Sequence, residues 1–244
     1  MGTNADREAA GGSTRRMARH RYVSAVTFGV VVFLAVVIMG IAVQYHSALG
    51  FGGGAVLILL AAMSITPLVM DRRLDVLLEG EKRANRGAEA EEEVGRILVR
   101  LGSDFLVLHD IETPFGNIDH ILISKISGAY VLETKSHRGS VEIRAQKLLL
   151  NGKGPEKDFV GQCLRNTFWL RAKITEIIGE EPWVTALLVF TNASVPPLPR
   201  IKGVRVVNKG YIRSVVSENG RKTQLAAPIW AARGRLEERL RDPS

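Results

Sequence analysis

The sequence predicts a mixed α/β fold, a sheet covered by helices, carried behind two membrane-spanning helices. Three observations predict it. Tyr22 to Met70 is a run of 49 positions without Asp, Glu, Lys or Arg. After it, amphipathic stretches and short apolar runs succeed one another as helix, three strands, helix, strand, the alternation of an α/β domain. Two of the apolar runs carry charge where a core would forbid it, at Asp119 in the first and at Glu133 and Lys135 in the second.

Residues 1–21 read as a disordered basic tail: Gly, Ala and polar residues to Thr14, then Arg15, Arg16, Arg19 and Arg21. A first helix at about 22–43 is long enough, at about 1.5 Å per residue, to cross about 30 Å of hydrocarbon. A polar, Gly-rich break at Gln44 to Gly54 separates it from a second apolar helix at about 53–70, with Pro67 near its end. Lys and Arg beside spanning helices stay on the cytoplasmic side. The four arginines precede the first helix, Arg72, Arg73, Lys82 and Arg83 come after the second, and the connecting loop has none. The expectation is a multi-pass protein of the cell membrane, in contact with the lipid bilayer, with both termini cytoplasmic. A cleaved signal peptide fits poorly with so long an apolar segment succeeded by another.

Residues 71–83 are expected to be a linker, and the remainder of the chain has the size of one domain with its own core. The lone Cys163 permits no internal disulfide and suits a reducing compartment. Most of the formal net charge of +8 lies beyond residue 70, a modest basic excess that suits a polyanion or an anionic lipid surface. No G-x-x-x-x-G-K-[ST] or G-x-G-x-x-G loop occurs, which removes the common phosphate-loop classes.

From Ala84 to Leu101, the spacing of Glu91, Val94, Leu98 and Leu101 predicts a helix closed by Gly102. Glu91 then lies on or beside the apolar stripe, although Glu89, Glu92 and Glu93 are there to face solvent. Strands are expected at about Phe105 to Ile111, Ile118 to Ser124 and Ala129 to Lys135. A hairpin of Ser140 to Arg144 and Lys147 to Leu150, turning at Ala145-Gln146, precedes a helix from about Lys157 to Ile178. Strands at Val184 to Phe190 and Gly203 to Val207 and a helix around Ile229 to Leu240 complete the chain.

Side chains alternate across a strand, so Val131, Glu133 and Lys135 share one face, and Asp119 goes with Ile121 and Ile123. If the two runs pair through a turn at Ser127-Gly128, Asp119 and Glu133 converge. Taken alone, Glu133 and Lys135 are an ion pair on a half-exposed strand. Brought together, two carboxylates repel, and one takes up a proton unless a cation sits between them. A hard divalent ion with oxygen ligands, Mg2+ or Mn2+, removes the conflict.

Arg86-Gly87-Ala88-Glu89-Ala90-Glu91, the run from Gly116 to Ile123, Tyr130 to Lys135 with Gly139 after it, and Gln162 with Asn166 four residues on resemble the nuclease-related domain (NERD) family of the PD-(D/E)xK nuclease superfamily. The resemblance covers about residues 84–192 and leaves 193–244 as a C-terminal extension of the same domain. It implies a restriction-endonuclease-like core (helix, three strands, helix, strand), here with an added hairpin and C-terminal helix. It also implies metal-dependent cleavage of nucleic acid, DNA before RNA. Asp119 and Glu133 correspond to the paired metal ligands, joined by the backbone carbonyl of Thr134. Lys135 corresponds to the lysine of the motif, Glu91 to the acid of the first helix and Gln162 to the glutamine of the second. Ala90 stands where the family more often has glycine, and Asp158-Phe159 where Asn-Pro is common.

His137 and Arg138, just after the motif, are candidate phosphate contacts. His120 is expected to face away from Asp119, and Cys163, Phe168 and Trp169 to serve packing. Two function classes remain: a membrane-anchored, metal-dependent nuclease, or a tethered module that binds nucleic acid or a protein without cleaving.

Overall fold

A computed structural model of the chain describes residues 79–197, 199–218 and 224–241, together with isolated helical positions from Val26 to Tyr45. They fall in two units, one of residues 14–85 and one holding the chain from Arg86 onward. Among the described residues no helix is long and apolar enough to cross a membrane. The tail expected at 1–21 and the span at 53–70 lie outside the described residues, and so does much of the span at 22–43. Of the expected linker, 71–83, residues 71–78 lie outside the described residues and 79–83 are helical.

That helix, α1 (79–99), leads into β1 (Phe105–Thr113), β2 (Gly116–Ser124) and β3 (Gly128–Arg144), and β3 folds back as β4 (Lys147–Leu150). Helix α2 (Phe159–Ile178) crosses to β5 (Val184–Ser194), and then come β6 (Arg200–Ile201), β7 (Val204–Asn208) and the short helices α3 (Ile212–Glu218), α4 (Ala226–Ala231) and α5 (Arg233–Arg241). The mixed α/β fold is as expected. The strands are ordered β1-β2-β3-β5-β7-β6, with β4 beside β3. Pairing is antiparallel from β1 to β3 and parallel from β3 through β5 to β7.

Packing on both faces positions the site. On one face, Val94 and Leu98 of α1 and Val215 of α3 cover Leu122, Leu132 and Val189. On the other, Leu170 and Ile174 of α2 cover Ile121 and Val131, while Phe159 and Cys163 cover Leu188 and Phe190. Burying each such side chain contributes roughly 1.5–3 kcal/mol. Helix α2 starts where Asp158 Oδ1 accepts the Gly161 amide at 2.9 Å, and ends at Gly179 with φ 78°, the left-handed cap that glycine favours.

Two elements differ from the sequence reading. The strands expected at 129–135 and 140–144 are one, since Ser136 to Gly139 stay extended through a register shift against β5 between Lys135 and Arg138. The C-terminal helix expected at 229–240 is two, parted at Ala232; α3 and β6 are too short to show a hydrophobic period.

Beyond the shift, Asn151 clips the strand. Its Oδ1 accepts from Ser140 N at 2.8 Å and its Nδ2 donates to Arg138 O at 3.2 Å. Gly139 has φ +96°, and a β-carbon there would collide with the Asn151 side chain. Gly139→Ala is therefore expected to lower the unfolding free energy by more than about 1 kcal/mol in urea titrations. Gly154→Ala, with nothing within 4 Å of the new carbon, should stay within about 0.5 kcal/mol.

Candidate active site

The antiparallel ladder between β2 and β3 runs from Ser124↔Gly128 to His120↔Leu132 and stops there. The next two residues are Asp119 and Glu133. Strand β2 stays on β1 as far as Gly116, while β3 continues along β5, so the sheet forks between the two acids. The β1 side contributes to the opening: Asp110 sits at φ 54° between the pairs His109↔His120 and Ile111↔Ile118, its Oδ1 accepting from Asn117 Nδ2 at 2.7 Å. In the fork, Asp119 Oδ2 accepts the Thr134 amide at 2.5 Å. A strand residue points its N–H and C=O to the same edge, so the Thr134 carbonyl opens toward Asp119 as well.

Alternation sets the face of β3. Val131 packs under Leu170 and Ile174 of α2, so Glu133 and Lys135, two and four residues on, share that face. Asp119 comes to them from the end of the ladder, where Ile118 and Ile121 both join the α2-side cluster and strict alternation lapses. Glu133 is 1% exposed and receives Lys135 Nζ on Oε1 at 2.5 Å. Its other oxygen, Oε2, is buried without a hydrogen-bond partner. Lys135 Nζ also lies 4.8 Å from the centre of the Phe159 ring, close enough for a cation–π contact.

Burial, then the charges of Glu133 and Glu91, push the Asp119 carboxyl well above its ordinary range. Burial raises Glu133 too, against the opposing pull of Lys135. Burial alone would lower Lys135, but Glu133, Asp119 and Glu91 outweigh it and hold the ammonium above its usual value. Too much negative charge is thus collected for one lysine to balance. Two carboxylates, one with an orphan buried oxygen, beside an outward-facing backbone carbonyl are donors that suit a hard cation. Among the described residues no group of three or more His, Cys, Asp and Glu side chains is arranged to hold a metal ion; a pair of acids would need backbone and water oxygens beside it.

The remaining expected residues surround this fork. Glu91, half-buried on α1, acts on Asp119 and Lys135 through its charge. Gln162 lies in the first turn of α2, half-buried, and its side chain makes no hydrogen bond among the described residues. His137 is exposed, with its ring 5.3 Å from that of Phe159, and burial and the Lys135 charge lower its pKa; Arg138 is exposed beside it. His120 faces the α1 side, fully buried, with Nδ1 2.8 Å from His109 Nδ1. One ring must donate and the other accept, and burial together with His109 holds His120 neutral.

Sequence reasoning missed Phe159, the platform under Lys135, and the structural part of Asn166, which is fully buried and joins α2 to the β1–β2 hairpin through Asn117 O at 3.4 Å and Thr113 Oγ1 at 3.5 Å. The signal was present for both: Phe159 is the departure from Asn-Pro, and a buried Asn needs partners.

Residues 86–191 match the family model of the nuclease-related domain, NERD. The match supports that family and points to a nuclease-like function. No curated protein and no solved structure matches the chain. The matched segment contains the fork, Glu91 and α2, whereas β6, β7 and α3 to α5 lie beyond it.

Asp119→Asn keeps an acceptor for the Thr134 amide and removes one of the repelling acids. Without divalent ions its Tm should rise by about 2–4 °C, the effect of about 1 kcal/mol in a domain of this size. Cys163 is fully buried, and burial, then the Glu133 charge, pushes its thiol far up. An aromatic disulfide reagent should accordingly modify it only at the rate of unfolding, with no fast phase in native protein.

Proposed function

We propose that the nuclease-related domain is a restriction-endonuclease-like, metal-dependent hydrolase of phosphodiester bonds, acting on DNA before RNA. Residues 22–70 would anchor it to the cell membrane on the cytoplasmic side. The observation that carries the enzymatic part is the orphan Glu133 Oε2 beside Asp119, with a lysine already attached to the other oxygen. A surface that only binds phosphates gains nothing from two acids near the ligand.

Mg2+ or Mn2+ would be held by Asp119, Glu133 and the Thr134 carbonyl, with Glu91 helping through water. The chemistry such an ion supplies is polarisation of a phosphate oxygen and a more acidic bound water. Lys135, steadied between Glu133 and the Phe159 ring, is placed to balance negative charge that grows on the phosphorus oxygens. Gln162 would orient the attacking water, and His137 and Arg138 would hold a neighbouring phosphate. A second reading, a tethered module that binds without cleaving, draws support from the Lys135–Glu133 contact, which already compensates one acid.

Full-length protein in mild detergent, incubated with supercoiled plasmid or RNA, should cleave with Mg2+ or Mn2+ and stop with a chelator. Asp119→Ala and Lys135→Ala are each expected to slow cleavage by about 100-fold or more. Activity indifferent to both changes rejects the site, and no cleavage of any nucleic acid favours the non-cleaving module. Alkaline carbonate should leave the full chain in the membrane pellet; release into the supernatant would reject the anchor.

A further inference from the structure

A cavity of about 340 Å³ shares Phe159 with the carboxylate site. Three segments build its rim. The β3–β4 hairpin turns on Ala145-Gln146, both at positive φ, and the β6–β7 hairpin on Lys202-Gly203, likewise both positive; these are two-residue turns of the primed kind that matches strand twist. Lys202 N donates to Gln146 Oε1 at 3.3 Å, so the two hairpin ends are tied to each other. The third segment is the loop that leads into α2.

Each segment contributes one exposed lysine to the lining: Lys147, Lys202 and Lys157. None of the three makes an ion pair among the described residues, in contrast to Lys125, Lys135, Lys173 and Lys209, which all do. Two acids share the lining, Glu156 and Asp158, but Asp158 is engaged in capping α2. The floor is apolar, made by Leu148, Phe159 and Ile201, all buried. Three cations drawn from separate segments, against Glu156 as the one lining acid not engaged in a cap, and set over an apolar floor, suit a chain of phosphates carrying sugars.

We propose that this cavity binds the phosphodiester backbone of a nucleic acid, with Lys147, Lys157 and Lys202 contacting phosphates next to the one that reaches Asp119 and Glu133. The assignment deepens the nuclease reading and rests on it for the direction of the strand. Phe159 is common to both: its ring lies 4.8 Å from Lys135 Nζ, and it lines the cavity. An anionic lipid headgroup has no need of that continuity.

The test measures binding by full-length protein carrying Asp119→Asn, so that cleavage does not interfere, to labelled duplex DNA and to single-stranded RNA at several salt concentrations. Combining Lys147→Gln, Lys157→Gln and Lys202→Gln should weaken binding about tenfold or more and flatten the slope of log affinity against log salt by about 2–3, near 0.9 per lost phosphate contact. Lys125→Gln, remote on the Asp104 ion pair, should change neither. Each single lysine variant should lower the slope by about 1, which covers the case of a triple variant that does not fold. Unchanged affinity and slope in the variants overturn the cavity assignment while leaving the nuclease reading intact. Loss of binding in a chain that cleaves nothing supports the cavity and rejects the nuclease reading. No binding of DNA or RNA by the parent chain overturns the cavity assignment, and so does loss in the triple variant of binding to anionic vesicles alone.

Discussion

The end of the β2–β3 ladder at His120 and Leu132 is the constraint on which the rest of this domain depends. Had the ladder continued by one pair, Asp119 and Glu133 would stand directly opposed in a buried sheet, and like charges in that position destabilise. Divergence of the strands separates their surroundings. Asp119 is left half-buried and takes the Thr134 amide, while Glu133 stays in the sheet beside β5 with almost no exposure. A carboxylate so placed costs several kcal/mol unless it is compensated. Lys135, on the same strand face, supplies that compensation at one oxygen only.

Both helices that cover the sheet are needed to hold this unbalanced arrangement. Helix α1 is fixed by Val94 and Leu98 on the face away from the acids, and the same stripe brings the Glu91 charge to bear on Asp119 from the edge of the fork. Helix α2 lies on the acids' own face. Its first turns place Phe159 under Lys135 and Cys163 against Leu187 O, and Asn166 one turn further on secures the β1–β2 hairpin. A rigid, fully packed surround resists the collapse that charge repulsion would otherwise cause. It also gives the lysine an aromatic partner in Phe159.

Much of the site was legible in the chain itself. Alternation put Glu133 and Lys135 on one face, and a period near 3.6 put Glu91 at the apolar stripe of its helix, because both patterns depend only on local backbone geometry. On β2 the alternation lapses at Asp119, where Ile118 joins the cluster of Ile121. The order of elements was legible for the same reason. Less accessible were features in which two remote segments meet. A phenylalanine opening a helix reads as core, and only the crossing of α2 over β3 makes it a platform for a cation. His109 and His120 read as separate strand residues until the β1–β2 register sets them side by side. The helical state of 79–83 was not legible either, because charged residues such as Glu79, Glu81, Lys82 and Arg83 are good helix formers that lack an apolar stripe to announce them.

By itself, the sequence determined which residue types carry charge within apolar strands, which face of each strand and helix they occupy, and in what order the elements come, since these depend on short-range periodicity. Tertiary structure alone decided that Glu133 shares one oxygen with Lys135 and leaves the other without a donor, and that two hairpin turns meet to gather lysines around a cavity. Those outcomes depend on where β2 parts from β3 and where β7 joins the sheet, and long-range packing sets both.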